Sequence, residues 1–181
     1  IIKQSGSSIT IGESGDTINI GTTGDTVNLA GSAYATAETM TPSFQAYMNG
    51  NQSLANTTYT KMEMDTEVYD TDSKYDTSNY RFTPGTAGKY WVWGKFRMDT
   101  GTDIAASIIA VYKNGSLISK FTQFQTNSTT RAFGQVIRLD TDDYIELYGY
   151  QNGGSSENVN GGAEEDQDTG HWGAYRITGV T

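Results

Sequence analysis

The sequence predicts an all-β protein in which a β-sandwich follows a short repeated segment. Glycine is abundant, with 21 residues against 2 prolines, and the 12 tyrosines outnumber the other aromatic residues. This composition is typical of short strands joined by tight turns. No stretch combines length with an apolar face of helical period, so we expect helices to be rare or absent.

The first 32 residues contain one nine-residue phrase three times, starting at Gly6, Gly15 and Gly24. Each copy has two apolar residues at positions i and i+2, which places both side chains on one face of a short strand. The pairs are Ile9 and Ile11, Ile18 and Ile20, and Val27 and Leu29. The pattern is typical of a β-solenoid. It differs from the calcium-binding nonapeptide of secreted toxins, because single rather than paired glycines precede its aspartates.

A single chain is poorly suited to enclose a core with this repeat. Nine residues of about 3.3 Å each give a perimeter of roughly 30 Å, too narrow for sheets that pack about 10 Å apart. Solenoids also need at least three stacked units to be stable. The core becomes complete if three chains each supply one side of a prism, so the repeat predicts a trimeric stalk whose six apolar residues face a threefold axis. A flexible Gly/Thr linker is the alternative.

Strand-like runs recur at regular intervals after residue 42, which predicts a sandwich. The clearest runs are SFQAYM, YTKMEMD, YRFTP, GKYWVWGKFRM, AASIIAVYKNGSLISKF, RAFGQVIRL, YIELYGYQ and HWGAYRITGV. Within them Asn114 and Gly115 predict a type I′ hairpin. The predicted organisation is a stalk and attachment segment at residues 1–32, a linker at 33–42 and a head domain at 43–181.

The motifs of residues 43–179 also follow a known order. FQAYM is followed by YDTSNYRFTPGTAGKY, IIAVYKNGSLI, IRLDTDDYIELYGYQ and HWGAYRITG. In this order they resemble the globular head of complement's first recognition component and its tumour-necrosis-factor-like relatives. Residues of this sequence stand where the family has its Tyr…Phe-x-x-Pro…Gly-x-Tyr signature, with one residue instead of two between Phe and Pro: Tyr75, Asp76, Tyr80, Phe82, Thr83, Pro84, Gly88 and Tyr90.

The resemblance implies a ten-strand jelly roll that forms a tight homotrimer. This chain departs from the family in its last strand, where His171, Trp172, Gly173 and Tyr175 replace the frequent Ser-x-Phe-x-Gly. It also has no collagen-like stalk. A nonapeptide β-stalk in that place resembles the fibre and fibre-like proteins of bacterial viruses.

Composition excludes several classes of function. The formal net charge of -9 argues against nucleic-acid binding, because that affinity depends on Lys and Arg. The absence of Cys removes disulfides and thiolate chemistry, and the single His171 makes a catalytic triad or a zinc site improbable. No stretch is typical of a membrane span or a signal peptide. We therefore expect no enzyme, although two carboxylates among the 21 acidic residues leave a glycan-cleaving enzyme as a third interpretation.

Residues 151–170 contain the candidate binding groups. Asn152, Asn158 and Asn160 could hydrogen-bond a ligand from a polar recognition loop. Glu164, Glu165, Asp166 and Asp168 offer the oxygen ligands that calcium favours, and heads of the resembled family often carry calcium near the trimer apex. A solvated acidic loop is the other interpretation. No other cofactor is expected.

The predicted function is a homotrimeric virion structural protein, a bacteriophage fibre or capsid decoration, on the virion surface. Its stalk contacts other virion proteins, and its head is exposed for attachment to a host cell-surface glycan or protein. The alternative is a bacterial surface or secreted adhesive appendage, in an extracellular or cell-surface location.

Overall fold

A computed structural model describes residues 40–99, 104–125, 129–166 and 169–177, all of which belong to one unit at residues 38–181. These described residues form thirteen β-strands and no helix, which confirms the all-β prediction. They accordingly contain no helix that could span a membrane. The predicted stalk core lies outside the described residues, so the trimeric stalk stays a prediction. Its residues are Ile9, Ile11, Ile18, Ile20, Val27 and Leu29.

The strands vary from two to twelve residues in length. In chain order they are β1 (Ser43–Tyr47), β2 (Gln52–Leu54), β3 (Thr60–Lys61), β4 (Thr66–Asp70), β5 (Tyr75–Asp76), β6 (Arg81–Phe82), β7 (Gly88–Asp99), β8 (Ile104–Lys113), β9 (Ser116–Gln125), β10 (Thr129–Leu139), β11 (Ile145–Gln151), β12 (Glu157–Val159) and β13 (His171–Ile177).

The strands form two antiparallel sheets that pack as a jelly-roll β-sandwich. The larger sheet has the order β2-β12-β7-β13-β1-β4. Strands β12 and β13 pair with successive parts of one edge of β7, and β10 pairs with the opposite edge. The smaller sheet has the order β5-β6-β11-β8-β9, and β3 pairs with β11 beside β6. The alternation of inward and outward side chains along these strands places the apolar core between the two sheets.

Aromatic rings fill the core near the family-like signature. Phe44 stacks on Tyr75 with ring centroids 4.6 Å apart and on Phe82 at 4.5 Å. The hydroxyl of Tyr75 donates to the carbonyl of Met64 at 2.7 Å and accepts from Nε1 of Trp172 at 3.2 Å. Because burial disfavours the phenolate, it raises the pKa of Tyr75. The signature residues Tyr75 and Phe82 are therefore structural.

The predicted hairpin between β8 and β9 is confirmed. Asn114 and Gly115 have φ values of 51° and 74°, as a type I′ turn requires. The side chain of Asn114 donates to Asp143 at 2.6 Å and accepts from the amide of Tyr144 at 2.9 Å. Lys113 also forms an ion pair with Asp143, so the hairpin is tied to the turn that precedes β11.

The register of the strands defines two ends of the sandwich. The chain enters β1 at Ser43, opposite Tyr175, and leaves it at Tyr47, opposite His171. We call these the near end and the far end. Following the antiparallel pairs across β13 and β7 places the last residues of β7 and the first residues of β10 at the far end. Residues 152–170, which connect β11 to β13, also lie at the far end.

Two parts of the secondary structure differ from the sequence prediction. The run YTKMEMD forms strand only at Thr60–Lys61. Met62 and Met64 are buried in the core, the amide of Met62 donates to the carbonyl of Leu147 at 2.9 Å, and β4 begins after the run at Thr66. The three-residue strands β2 and β12 were not predicted, since each is too short for a visible alternation.

Candidate functional site: surfaces of the head

The outer face of the larger sheet carries two tryptophans. Side chains alternate along β7, so Trp91 and Trp93 point away from the core in which Val92 is buried. Trp91 lies against Gly134, where an added Cβ would be 2.5 Å from Cζ2 of the indole. Trp93 lies against Gly173, where an added Cβ would be 3.0 Å from the indole. The two glycines therefore make room for the rings.

Further apolar side chains extend this surface. Val136 and Tyr175 are opposite Trp91 in the adjoining strands β10 and β13. Val136 is 53% exposed and makes the apolar surface around Trp91 contiguous. We define the aromatic face as Trp91, Trp93, Val136 and Tyr175.

A second apolar surface lies along one side of the sandwich. The described pairings give β9 and β10 one neighbour each, β8 and β7, so both are edge strands, of ten and eleven residues. Leu117 and Ile118 of β9 are 43% and 45% exposed. Between the two strands Phe121 stacks on Phe133, with ring centroids 5.1 Å apart. We call the free backbone edges of β9 and β10, together with Leu117 and Ile118, the open edge, and Val136 of β10 is counted only in the aromatic face. Long unprotected edge strands are templates for association.

The predicted recognition residues lie at the far end, where hydrogen bonds and strand β12 hold them in place. The Oδ1 atom of Asn152 accepts from the amide of Ala106 at 2.6 Å. Asn158 is exposed within β12, whose neighbour Val159 is buried in the core. Asn160 is partly buried, and its amide donates to the carbonyl of Arg97 at 2.9 Å. The prediction of one continuous loop is therefore wrong, because β12 joins the larger sheet between β2 and β7.

Buried and polar side chains anchor the exposed parts of this segment. Gln151, which is fully buried, donates to the carbonyls of Leu54 and Ser155 at 3.0 and 2.8 Å and accepts from the amide of Gly153 at 2.6 Å. Asn56 accepts from the amide of Gly154 at 3.0 Å. Two exposed stretches remain, residues 154–156 and 163–166, presented by a rigid scaffold.

The acidic residues of the predicted calcium site lie in the second stretch. Glu164, Glu165 and Asp166 are exposed, and Asp168 lies outside the described residues. Across the part of the chain that the structure describes, no group of three His, Cys, Asp or Glu side chains could hold a metal ion. Because Asp168 is not described, the calcium site stays a prediction.

Four tyrosines cluster on the outer face of the smaller sheet. Tyr112 and Tyr148 have ring centroids 4.0 Å apart, and Tyr59 and Tyr150 have centroids 4.9 Å apart. All four rings are partly buried. The cluster was not predicted as a unit, because its members come from three separate segments of the chain.

The lone histidine packs against the side chains of Gln45 and Tyr47. His171 is 5% exposed, its ring lies 5.8 Å from that of Tyr47, and burial lowers its pKa. The adjacent Trp172 is fully buried and cannot stack on a ligand. This part of β13 therefore packs inside the head.

The sheets and their order place the head among TNF-like jelly rolls. The globular domain of zebrafish complement 1qA protein is similar in structure, with a TM-score of 0.55 at 12% sequence identity over 75% of this chain and 97% of that domain. Murine APRIL is similar with a TM-score of 0.53 at 10% identity over 75% of this chain and 98% of that protein. The predicted resemblance is thus confirmed for the fold of the head. No protein-family model matches the sequence. No curated protein has a matching sequence.

Proposed function

We propose that the chain is a homotrimeric structural protein of a bacteriophage particle, a fibre or capsid decoration, whose head serves host attachment. The observation that carries the proposal is the presence of two different unpartnered apolar surfaces on one head, the aromatic face and the open edge. The N-terminal repeats, which resemble the stalks of phage fibres, serve as the attachment to other virion proteins.

The two surfaces suit a closed ring of subunits. Because they differ, contact between them is heterologous: the open edge of one subunit packs on the aromatic face of the next. A rotation of one third of a turn closes such contacts into a trimer, with the same symmetry as the stalk predicted from the repeat. This arrangement covers the long edge strands, and it removes Val136, Leu117 and Ile118 from water.

The far end of the head is the place for recognition. The chain enters the head at Ser43, at the near end, and the exposed stretches 154–156 and 163–166 lie at the opposite end. In a protein anchored to a particle through its N-terminal segment, these stretches are free to meet a host glycan or protein. Three copies in a trimer would strengthen weak individual contacts by avidity.

The proposal assigns the head a binding role and not a catalytic one. Among the described residues the buried acids are Asp143, Glu146 and Glu157. Asp143 and Glu146 form ion pairs with lysines, and Glu157 accepts from the hydroxyl of Ser155 at 3.1 Å. These contacts support a structural use of the buried carboxylates.

Sedimentation of the full chain tests the trimer. We expect the mass of three chains, with Val136→Asp dissociating at concentrations at least 100-fold higher than wild type, because each interface would bury an unpaired charge at a cost of about 3 kcal/mol. Thr58→Asp, at an exposed position ahead of β3, should leave the mass unchanged. A wild-type monomer or dimer would exclude the proposed ring.

Electron microscopy with antibodies against the head tests the virion role. Labelling of phage particles at the tail or on the capsid would support the proposal. Labelling of filaments on bacterial cells, with no phage labelled, would replace it with the adhesive appendage.

A further inference from the structure

Arg131 is an arginine inside the sandwich. It lies on the core-facing side of β10, two residues before Phe133, and it is 2% exposed. Arginine is almost never buried to this extent without a charged partner. Its Nη1 atom donates to the carbonyl of Thr130 at 3.5 Å, whereas Nε and Nη2 are buried without a hydrogen-bond partner among the residues that the structure describes.

The two unpartnered nitrogens lie on the same edge of the guanidinium. Nε and Nη2 carry the N–H groups of one edge of the guanidinium, and this edge donates two parallel hydrogen bonds to a carboxylate or phosphate. Burying both N–H groups without hydrogen-bond acceptors lowers the stability of the fold. The free edge of Arg131 therefore has the geometry that recognises an oxyanion.

The described residues do not balance this charge. The buried carboxylates of Asp143, Glu146 and Glu157 bond to Lys113, Lys61 and Ser155 respectively. Burial is the sole cause that lowers the pKa of Arg131. A negative group supplied from elsewhere would remove this penalty.

A second unpartnered donor lies in the same layer of the core. Ser107 of β8 is fully buried, and its Oγ atom has no hydrogen-bond partner in the described part of the chain. Phe133 stacks on Phe121, and Phe121 is opposite Ile109 in the smaller sheet. Arg131 and Ser107 each lie two residues beyond this aromatic layer towards the far end, one from each sheet.

We propose that Arg131 and Ser107 form a buried site for a small free oxyanion, a carboxylate of formate or acetate size or inorganic phosphate. The guanidinium edge of Arg131 donates two hydrogen bonds to it, and the hydroxyl of Ser107 donates a third. The bound anion links the two sheets beneath the far end of the head. The site depends neither on the trimer nor on the virion role.

Thermal melting of the full chain tests the site. The protein is dialysed into sodium chloride and then melted in formate, acetate or phosphate at one fixed ionic strength. We expect a saturable rise in Tm of about 5 °C when the anion reaches about 100 times its dissociation constant. Melting curves that match those in chloride for all three anions would overturn the proposal.

Matched variants separate the site from general salt effects. Arg131→Met should abolish the rise and should melt no lower than wild type in chloride, because it removes an unpaired buried charge. Arg138→Met, on the same strand with an 81% exposed side chain, should keep the rise. An equal rise in Arg131→Met would overturn the proposal.

A milder substitution covers the case in which Arg131→Met does not fold. Ser107→Ala removes one donor and should require about 10-fold more anion for the same rise in Tm. An unchanged anion requirement in Ser107→Ala would contradict the three-donor site. If the wild type shows no anion effect, the free-anion proposal is wrong, whether or not its Tm rises with protein concentration as the proposed trimer requires.

Discussion

Trp91 lies directly against Gly134 across the antiparallel pair formed by β7 and β10. An added Cβ at Gly134 would be 2.5 Å from Cζ2 of the indole, closer than side-chain atoms approach. The glycine therefore determines how the ring lies on the outer face of the sheet. Since Val136 flanks the same ring, this contact shapes the aromatic face on which the proposed trimer depends.

Gly134→Ala should displace the indole of Trp91 and weaken the trimer about 10-fold, because the aromatic face would no longer match the open edge. Tryptophan emission and sedimentation at several concentrations measure the two effects. Gly50→Ala is the control, since no atom lies within 4 Å of its added Cβ. Unchanged emission together with an unchanged dissociation midpoint would contradict this role of Gly134.

Because of Asp143, the free energy of unfolding of the head should decrease at acidic pH. Hydrogen bonds from the amide of Asp140 and the side chains of Lys113 and Asn114 lower the pKa of Asp143 to about 2. A depressed folded-state pKa stabilises the protein above the unfolded value of about 3.9, and that contribution is lost as pH falls towards 2.

Asp143→Asn should therefore cost about 2 kcal/mol at neutral pH, and the difference from wild type should shrink between about pH 4 and pH 2. Denaturant unfolding at each pH gives the two free energies. Asp142→Asn, at the exposed neighbouring position, should match wild type throughout. A difference that stays constant below pH 4 would show that the ionised carboxylate of Asp143 is not the cause.

Because of Tyr90, the free energy of unfolding of the head should decrease at alkaline pH. It is fully buried, its hydroxyl donates to the carbonyl of Thr86 at 2.7 Å, and burial raises its pKa to about 12. A raised folded-state pKa gives stability that is complete below the unfolded value of about 10 and is lost as pH rises towards 12. Tyr90→Phe should lose less stability than wild type between pH 10 and 12, measured by denaturant unfolding. Parallel losses in the two proteins would exclude Tyr90 as the titrating group.

The exposed stretches at the far end should carry host recognition. Replacing residues 154–156 and 163–166 by Gly and Ser keeps β12 and its buried Val159, so the trimer should remain intact while adsorption of the parent particle to its host falls by more than 10-fold. Adsorption assays and sedimentation measure the two outcomes. The control replaces Thr141 and Asp142, which are exposed at the near end. Normal adsorption of the far-end variant would favour a purely decorating role.

The hairpin and the all-β class could be predicted because their causes are local. Asn114 and Gly115 tolerate positive φ, and the alternation in GKYWVWGKF is visible in the chain itself. Strand β12, in contrast, could not be predicted from local sequence. Its three residues become a strand only because β2 and β7 lie on either side of it.

The sequence by itself determined the fold class, the hairpin, the resemblance of the head to TNF-like jelly rolls and the segment in which exposed polar groups occur. These follow from composition, periodicity and motif order, which neighbouring residues carry without reference to the rest of the molecule. Only the tertiary structure decided that Trp91 and Trp93 face outward over two glycines, that Asn152 bonds to Ala106, and that Arg131 is buried without an acidic hydrogen-bond partner among the described residues. Burial and charge compensation depend on residues far apart in the chain, so they exist only once the two sheets have packed.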